Sequence, residues 1–290
     1  MSDESSSLVG LSTEFLKVSS PGAHVALVEI LRKPVNAFTE ECWTGLARIF
    51  AKLSGEPSVR AVVLASANPK LFSAGIDLAA LDSITDGASK EPARRALQQR
   101  DLILSFQNCI SAIERCPYPV IAATHGVAYG LSIDIIAACD IRYTASNAVF
   151  SIKEVDVGLA ADIGTLARLP KVVGNHSLLH ELAYTARNFS AAEAEKLGLV
   201  SRVVQGSRDE VLAAALQTAQ LIAEKSPIAV LGSKHLLLHA RDHTVQDSLD
   251  YTATWNSVML QTADMPEIFK AMSKKSKPSF APLANLPSKL

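Results

Sequence analysis

The chain of 290 residues is 48% hydrophobic and 20% charged, with a formal net charge of -1. This is enough apolar material for a sizeable core, and it leaves no basic surplus to hold nucleic acid or an anionic membrane. No apolar run reaches the roughly 20 residues that cross a bilayer, so membrane insertion is not expected. The opening MSDESSSLVG lacks the basic and apolar regions of a secretory signal, so folding in the cytosol is expected.

Residues 1–9 read as a polar, disordered leader. Runs at 11–18, 23–31, 59–66 and 119–124, with Val, Ile and Phe prominent, predict strands. Between them, TEECWTGLARIFAKLSG (39–55) has helical spacing, with Thr39 as N-cap and Gly55 as stop. The polar segment 82–95 predicts a surface loop of the kind that covers binding sites, leading into a helix over about 95–115. Alternating strands and helices imply an α/β fold. From residue 175 the periods turn helical, at 175–186, 190–197, 208–225, 228–240, 244–262 and 265–275, with one short strand at 199–204. The expected organisation is a core over 10–206, a helical region over 207–280 and a flexible tail over 281–290. Apolar faces in the helical region exceed the needs of a small bundle, so a homo-oligomer is expected.

Cys42, Cys109, Cys116 and Cys139 have no metal-type spacing and each lies beside apolar residues, which points to buried reduced thiols. The sequons at Asn175 and Asn188 mean little without a secretory route. Ser288, Lys289 and Leu290 read S-K-L after a Pro-containing tail, the tripeptide that a peroxisomal import receptor reads. A peroxisomal matrix location is the resulting expectation.

GxGxxG after a strand, GxxxxGK[ST], GxSxG and HExxH do not occur, which disfavours nicotinamide enzymes, P-loop ATPases, α/β-hydrolases and zincins. His235, His239 and His243 would share a helix face, but no acid or cysteine completes a metal site, so a solvated face is expected. His125, after a strand in ATHGVAYG, is read as a structural hydrogen-bonding residue.

Three acids stand out. Asp134, Glu154 and Asp162 lie among apolar and small residues in GLSIDIIAACDIRY (130–143) and FSIKEVDVGLAADIGTL (150–166), where an unpaired carboxylate is costly to bury. Two turns of small residues accompany them. LFSAGIDL (71–78) follows an apolar strand, and Gly130 to Ser132 precedes the apolar helix carrying Asp134. Such turns let backbone approach a ligand, and two sets of backbone N–H groups together could grip one oxygen. From pattern alone this is one possibility among several.

FSAGIDL, HGVAYGLSIDIIAACDIRY and above all KEVDVGLAADIGTLARLPKVVGN resemble the crotonase (enoyl-CoA hydratase/isomerase) superfamily, over roughly residues 10–280. The EVDVGLAAD stretch resembles its Δ3,5-Δ2,4-dienoyl-CoA isomerases, peroxisomal or mitochondrial. The resemblance implies a spiral of β-β-α units, C-terminal helices that assemble a trimer or hexamer, and an acyl-CoA thioester as substrate, with no cofactor beyond the coenzyme A that the substrate carries. It places the thioester oxygen between the N–H groups of Ile76 and Leu131, with Ser73, Ala74, Gly75, Ile76, Asp77, Gly130 and Leu131 around the substrate. It makes Glu154 a base near the α-carbon and Asp162 an acid near the distal carbon, or the reverse, with Asp134 polarising or orienting one of them. Most relatives carry Gly where this chain has Leu131; a backbone donor tolerates Leu if its φ/ψ is allowed. The rivals are an enoyl-CoA hydratase, a Δ3-Δ2-enoyl-CoA isomerase and, from another class, an inactive protein of the same fold that only binds partners.

Overall fold

The computed structural model describes Leu8, residues 10–79 and residues 91–283. The remaining leader, most of the loop expected at 82–95, and Ser288, Lys289 and Leu290 fall outside the described residues.

A hairpin opens the fold: β1 (Leu16–Gly22) pairs antiparallel with β2 (Val25–Ile30). Then β3 (Ala61–Ser66), β5 (Val120–Thr124), β7 (Ile141–Ala145) and β10 (Arg202–Val204) add in parallel, giving a six-stranded sheet in the order β1-β2-β3-β5-β7-β10. A four-stranded sheet holds β4 (Leu71–Ser73), β6 (Val127–Tyr129), β8 (Val149–Ser151) and β9 (Phe189–Ser190). The chain therefore repeats one move. β3, β5 and β7 each lie in the large sheet and are followed by β4, β6 and β8 in the small one.

Every residue of β2, β3 and β5 is buried, because both faces of the large sheet are covered. Val28, Val62, Leu64, Val120 and Ala122 point into the main core with helix α1 (Glu40–Ser54). Leu27, Val63, Ile121 and Ala145 face the other way onto Val211, Ala215 and Ala219 of a long helix over Arg208–Ala223. Glu29 also lies on that side, buried, and is neutralised by Arg208 at 2.5 Å. The helix that follows the expected boundary at 206/207 thus covers the core sheet. Leu8 and Leu283 join the main core too, so neither the leader nor the tail is wholly free.

The other helices are α2 (Pro92–Arg115), α3 (Leu131–Ala137), α4 (Thr165–Val172), α5 (His176–Thr185) and α6 (Ala191–Leu197). The Arg208–Ala223 helix is α7, followed by α8 (Pro227–Ala240), α9 (Val245–Met259) and α10 (Asp264–Lys274). Helix α2 starts three residues before the expected 95, because Glu91 caps it through the N–H groups of Ala93 and Arg94 with Pro92 at the first position. Thr39 stands at the N-cap of α1, though its side chain makes no cap bond. All four cysteines are free, and burial pushes each thiol upward in pKa.

Of the histidine trio only His243 is exposed as expected, while His235 and His239 are half-buried. His235 bonds the Tyr251 hydroxyl at 2.7 Å and stacks on Trp255, while His239 stacks between His243 and Tyr251, so the rings glue α8 to α9. His125 has the structural role expected, its Nε2 lying 2.8 Å from the Asn68 carbonyl oxygen.

Gly126 is where the chain leaves the large sheet for the small one. Its φ is +55°, and a Cβ there would stand 2.0 Å from the Lys70 carbonyl oxygen. Gly158, at φ +83°, has open space around it. Gly158→Ala should cost only the strain of left-handed backbone, about 1–2 kcal/mol. Gly126→Ala adds a backbone collision that pushes β4 away from β6, and should cost at least about 3 kcal/mol. Urea unfolding of both variants checks the difference, and equal losses would contradict it.

Candidate active site

One cavity of about 350 Å³ gathers the acids and both turns. Its walls include Ala74, Gly75 and Ile76 from the turn after β4, and Gly130, Leu131 and Asp134 from the start of α3. Lys153 and Glu154 come from the short turn after β8, and Asp162 and Ile163 from the approach to α4. All three predicted acids thus meet on one surface.

Both turns owe their position to the small sheet. β4 and β6 run parallel, paired at Leu71–Val127 and Ser73–Ala128, so the turns that follow emerge side by side. Gly75 lies at φ +99°, and a Cβ there would be 2.8 Å from the Tyr129 carbonyl oxygen. Only glycine permits that approach. Gly130 at φ +52° and ψ -119° reverses the chain into α3. Among the described hydrogen bonds, neither the Ile76 nor the Leu131 N–H has a protein acceptor. Leu131 is the first residue of α3, so its N–H is one of those a helix leaves over. Leu131 begins the helix and is not among the non-glycine residues with positive φ, so its backbone is one that Leu adopts without strain, with its side chain buried in the core.

Ser73 and Asp77, expected around the substrate, do not line the cavity. Ser73 is fully buried and braces the turn, its hydroxyl accepting the Gly75 N–H at 3.0 Å. Asp77 turns away to pair with Arg32 at 2.9 Å. The turn is bound to residues preceding α1 instead: the Phe38 N–H donates to the Gly75 carbonyl and the Asp77 N–H to the Phe38 carbonyl.

The acids have different surroundings. Asp134 is 2% exposed and accepts the Thr165 N–H at 2.6 Å from the first residue of α4. Burial first, then the charge of Glu154, push its pKa up to about 7. Glu154 is half-buried, and its Oε2 is enclosed without a hydrogen-bond partner. Burial raises its pKa and the charge of Asp162 adds to that. Asp162 is the exposed member, at the cavity's edge, yet partial burial still moves it upward. Gln107 donates to its backbone carbonyl at 2.6 Å and so fixes its loop to α2.

The apolar walls went unrecognised in the sequence. Leu102, Ile103 and Phe106 of α2 line one side with Gln99, and Trp43 of α1 stacks on Phe106 with ring centroids 3.9 Å apart. Their spacing on α2 is helical, but Gln and Arg neighbours make that segment read as a surface helix. Val157, Leu159 and Leu78 complete the wall. Such a cavity takes an elongated apolar group whose polar end reaches the two free N–H groups, and carboxyl groups kept dry there can exchange protons with it.

The upward shift of Asp134 carries a sign for stability. Its ordinary pKa is 3.8, against about 7 in the fold, so folding favours the protonated form. The penalty is absent below about pH 4 and grows until about pH 7. Asp134→Asn keeps the acceptor for Thr165 and removes the penalty. It should be more stable than the parent at pH 8 by on the order of 3 kcal/mol, with the two converging near pH 4. Thermal midpoints across that range test this, and a gap independent of pH would contradict it.

Comparison with known proteins agrees with this geometry. Residues 21–282 match the family described as enoyl-CoA hydratase/isomerase. The mitochondrial Δ(3,5)-Δ(2,4)-dienoyl-CoA isomerase of Rattus norvegicus is 48% identical over 269 residues, 92% of this chain and 82% of the relative. The peroxisomal Δ(3,5)-Δ(2,4)-dienoyl-CoA isomerase of Arabidopsis thaliana is 45% identical over 258 residues, 88% of this chain and 92% of the relative. Among solved structures, an enoyl-CoA hydratase from Bacillus anthracis superposes with a TM-score of 0.82 at 27% identity, covering 92% of this chain and 99% of that one. With two parallel-paired turns, three converging acids and matches spanning nearly its whole length, the chain belongs to the enoyl-CoA hydratase/isomerase family.

Proposed function

We propose that this protein isomerises 3,5-dienoyl-CoA to 2,4-dienoyl-CoA in the β-oxidation of unsaturated fatty acids. The observation that carries the reading is the pair Glu154 and Asp162 on one apolar cavity, beside two N–H groups without protein acceptors.

The reaction removes a proton beside the thioester carbonyl and adds one at the far end of the conjugated system, four carbons away. A single carboxylate cannot easily serve both ends. Glu154, whose Oε1 would be 3.4 Å from a Cβ at Gly130, sits against the turn that supplies the Leu131 donor, and hence near the carbonyl. It takes the α-proton. The electron pair moves into the carbonyl oxygen, where the N–H groups of Ile76 and Leu131 hold the dienolate; one such donor is typically worth roughly 2.7–4 kcal/mol. Asp162, whose pKa partial burial moves upward, is the acid in this reading and delivers a proton at the distal carbon. Glu154 then holds a proton and Asp162 has lost one. Before the next turnover Glu154 gives up its proton and Asp162, which is exposed to water, takes one up, so that no net proton is gained or lost. Asp134, whose pKa the charge of Glu154 helps to raise, lies close enough to that base to orient it. Coenzyme A enters as part of the substrate, and the chemistry needs no separate cofactor.

Asp162→Asn should lower isomerisation at least about 10²-fold, the usual loss for a general acid, while exchange of the α-proton with deuterated water survives better. Glu154→Gln should abolish both. Near-normal turnover in Asp162→Asn, or loss of exchange alone, would contradict the assignment.

We also infer a homo-oligomer, a trimer or hexamer. In the single chain Leu237, Val245, Val258, Phe269 and Met272 of α8 to α10 are 71%, 79%, 61%, 63% and 69% exposed, more apolar surface than a lone subunit normally leaves to water. Sedimentation at micromolar concentration should show a multiple of 30.9 kDa; a stable monomer would remove the inference. The peroxisomal reading is supported by Ser288, Lys289 and Leu290 and by the location in the name of the Arabidopsis relative, against mitochondrial names for the mammalian ones. Removing those three residues should abolish import through the peroxisomal receptor and leave activity intact. Continued import would show another address.

A further inference from the structure

The two donor turns come from different strands, and something must hold their N–H groups at one oxygen. The β4–β6 ladder does so only as far as the Ser73–Ala128 rung. Beyond it, among the described residues, one hydrogen bond crosses between the turns: the Ser132 hydroxyl donates to the Ser73 carbonyl at 3.0 Å. Ser132 is fully buried one residue after the Leu131 donor, and Ser73 lies three residues before the Ile76 donor.

Ser73 is itself clamped. Its hydroxyl donates to the Asn36 carbonyl at 2.7 Å and accepts the Gly75 N–H at 3.0 Å. Asn36 Nδ2 donates to the Phe72 carbonyl at 2.9 Å and to the Ser66 hydroxyl at 2.7 Å. The turn after β4 is therefore rigidly tied to the segment preceding α1. The start of α3, in turn, is tied to the turn after β4 through Ser132.

We propose that Ser132 is a positioning residue for the reaction: its hydroxyl sets the separation of the Ile76 and Leu131 N–H groups so that both converge on the thioester oxygen. The proposal rests on the oxyanion-hole reading above. Negative charge gathers on that oxygen only during the reaction, so loosened convergence reduces turnover more than it reduces binding. Ser132 does not line the cavity and does not touch the substrate.

The test compares the parent protein with Ser132→Ala and with Ser132→Cys, whose thiol keeps a weak donor at nearly the same volume. Three readouts are taken: kcat and KM with 3,5-dienoyl-CoA, the absorption band of bound 2,4-dienoyl-CoA, and the thermal midpoint. Hydrogen bonds to the carbonyl polarise the conjugated thioester, so the bound band should lie to the red of the free one. Ser132→Ala should lower kcat by about 10- to 100-fold with little change in KM, and should lose much of the red shift. Ser132→Cys should recover part of both, and it carries the test if the alanine variant does not fold. A band and kcat unchanged from the parent would overturn the proposal. So would a kcat that falls only in step with the thermal midpoint while the band stays shifted. A parent protein with neither turnover nor a red shift would remove the oxyanion hole itself, and Ser132's role with it.

Discussion

Keeping carboxyl groups dry beside an apolar cavity is the constraint on which the rest of this structure depends. A carboxylate taken out of water must find hydrogen bonds or a proton, and the three acids here resolve this differently. Asp134, the most enclosed, has the first N–H of α4 and a pKa near neutrality. Glu154 has an oxygen with no hydrogen-bond partner among the described residues, a poor arrangement for stability and a suitable one for taking up a proton. Asp162 keeps contact with solvent. Loop lengths and helix starts around the site can be understood as ways of keeping these three environments different around one cavity.

The scaffold meets that need by repetition. Each passage from the large sheet to the small one delivers a turn to the same edge, and parallel pairing of β4, β6 and β8 aligns the three turns in register. The first two turns bring the Ile76 and Leu131 N–H groups to the cavity and the third brings Glu154. Close approach at Gly75 and Gly126 is what lets the short strands pair, since a side chain at either would meet backbone oxygen. Main-chain donors fixed in this way need no reorganisation as charge develops, which is why they serve oxyanions well.

Legibility in the sequence followed burial. β2, β3 and β5 appear as unbroken apolar runs because both their faces are covered. β4, β6, β8 and β9 are two or three residues long and went unseen, being too short for any period. β7, IRYTA, hid behind its Arg and Tyr. Helices after residue 175 were placed to within a few residues because Ser190, Ser226 and Thr244 cap them with their side chains. Apolar context and family resemblance single out the three acids and the two turns, which the fold brings to one cavity. Ser73 and Asp77 belong to the same turn as Ile76 but are engaged within the fold, Ser73 with Asn36 and Gly75 and Asp77 with Arg32, contacts that no local pattern reports. The role of Ser132 depends on a contact across 59 residues of sequence, and no local pattern reports it.

The central claim is that the site moves protons along a conjugated thioester instead of adding water to it. Offering the purified protein 3,5-dienoyl-CoA and 2-enoyl-CoA in competition, and following the 2,4-product by absorption and the 3-hydroxy product by chromatography, tests this most directly. Isomerisation should exceed hydration by at least about 10²-fold in kcat/KM, the scale set by one well-placed acid. Hydration equal to or faster than isomerisation would contradict it.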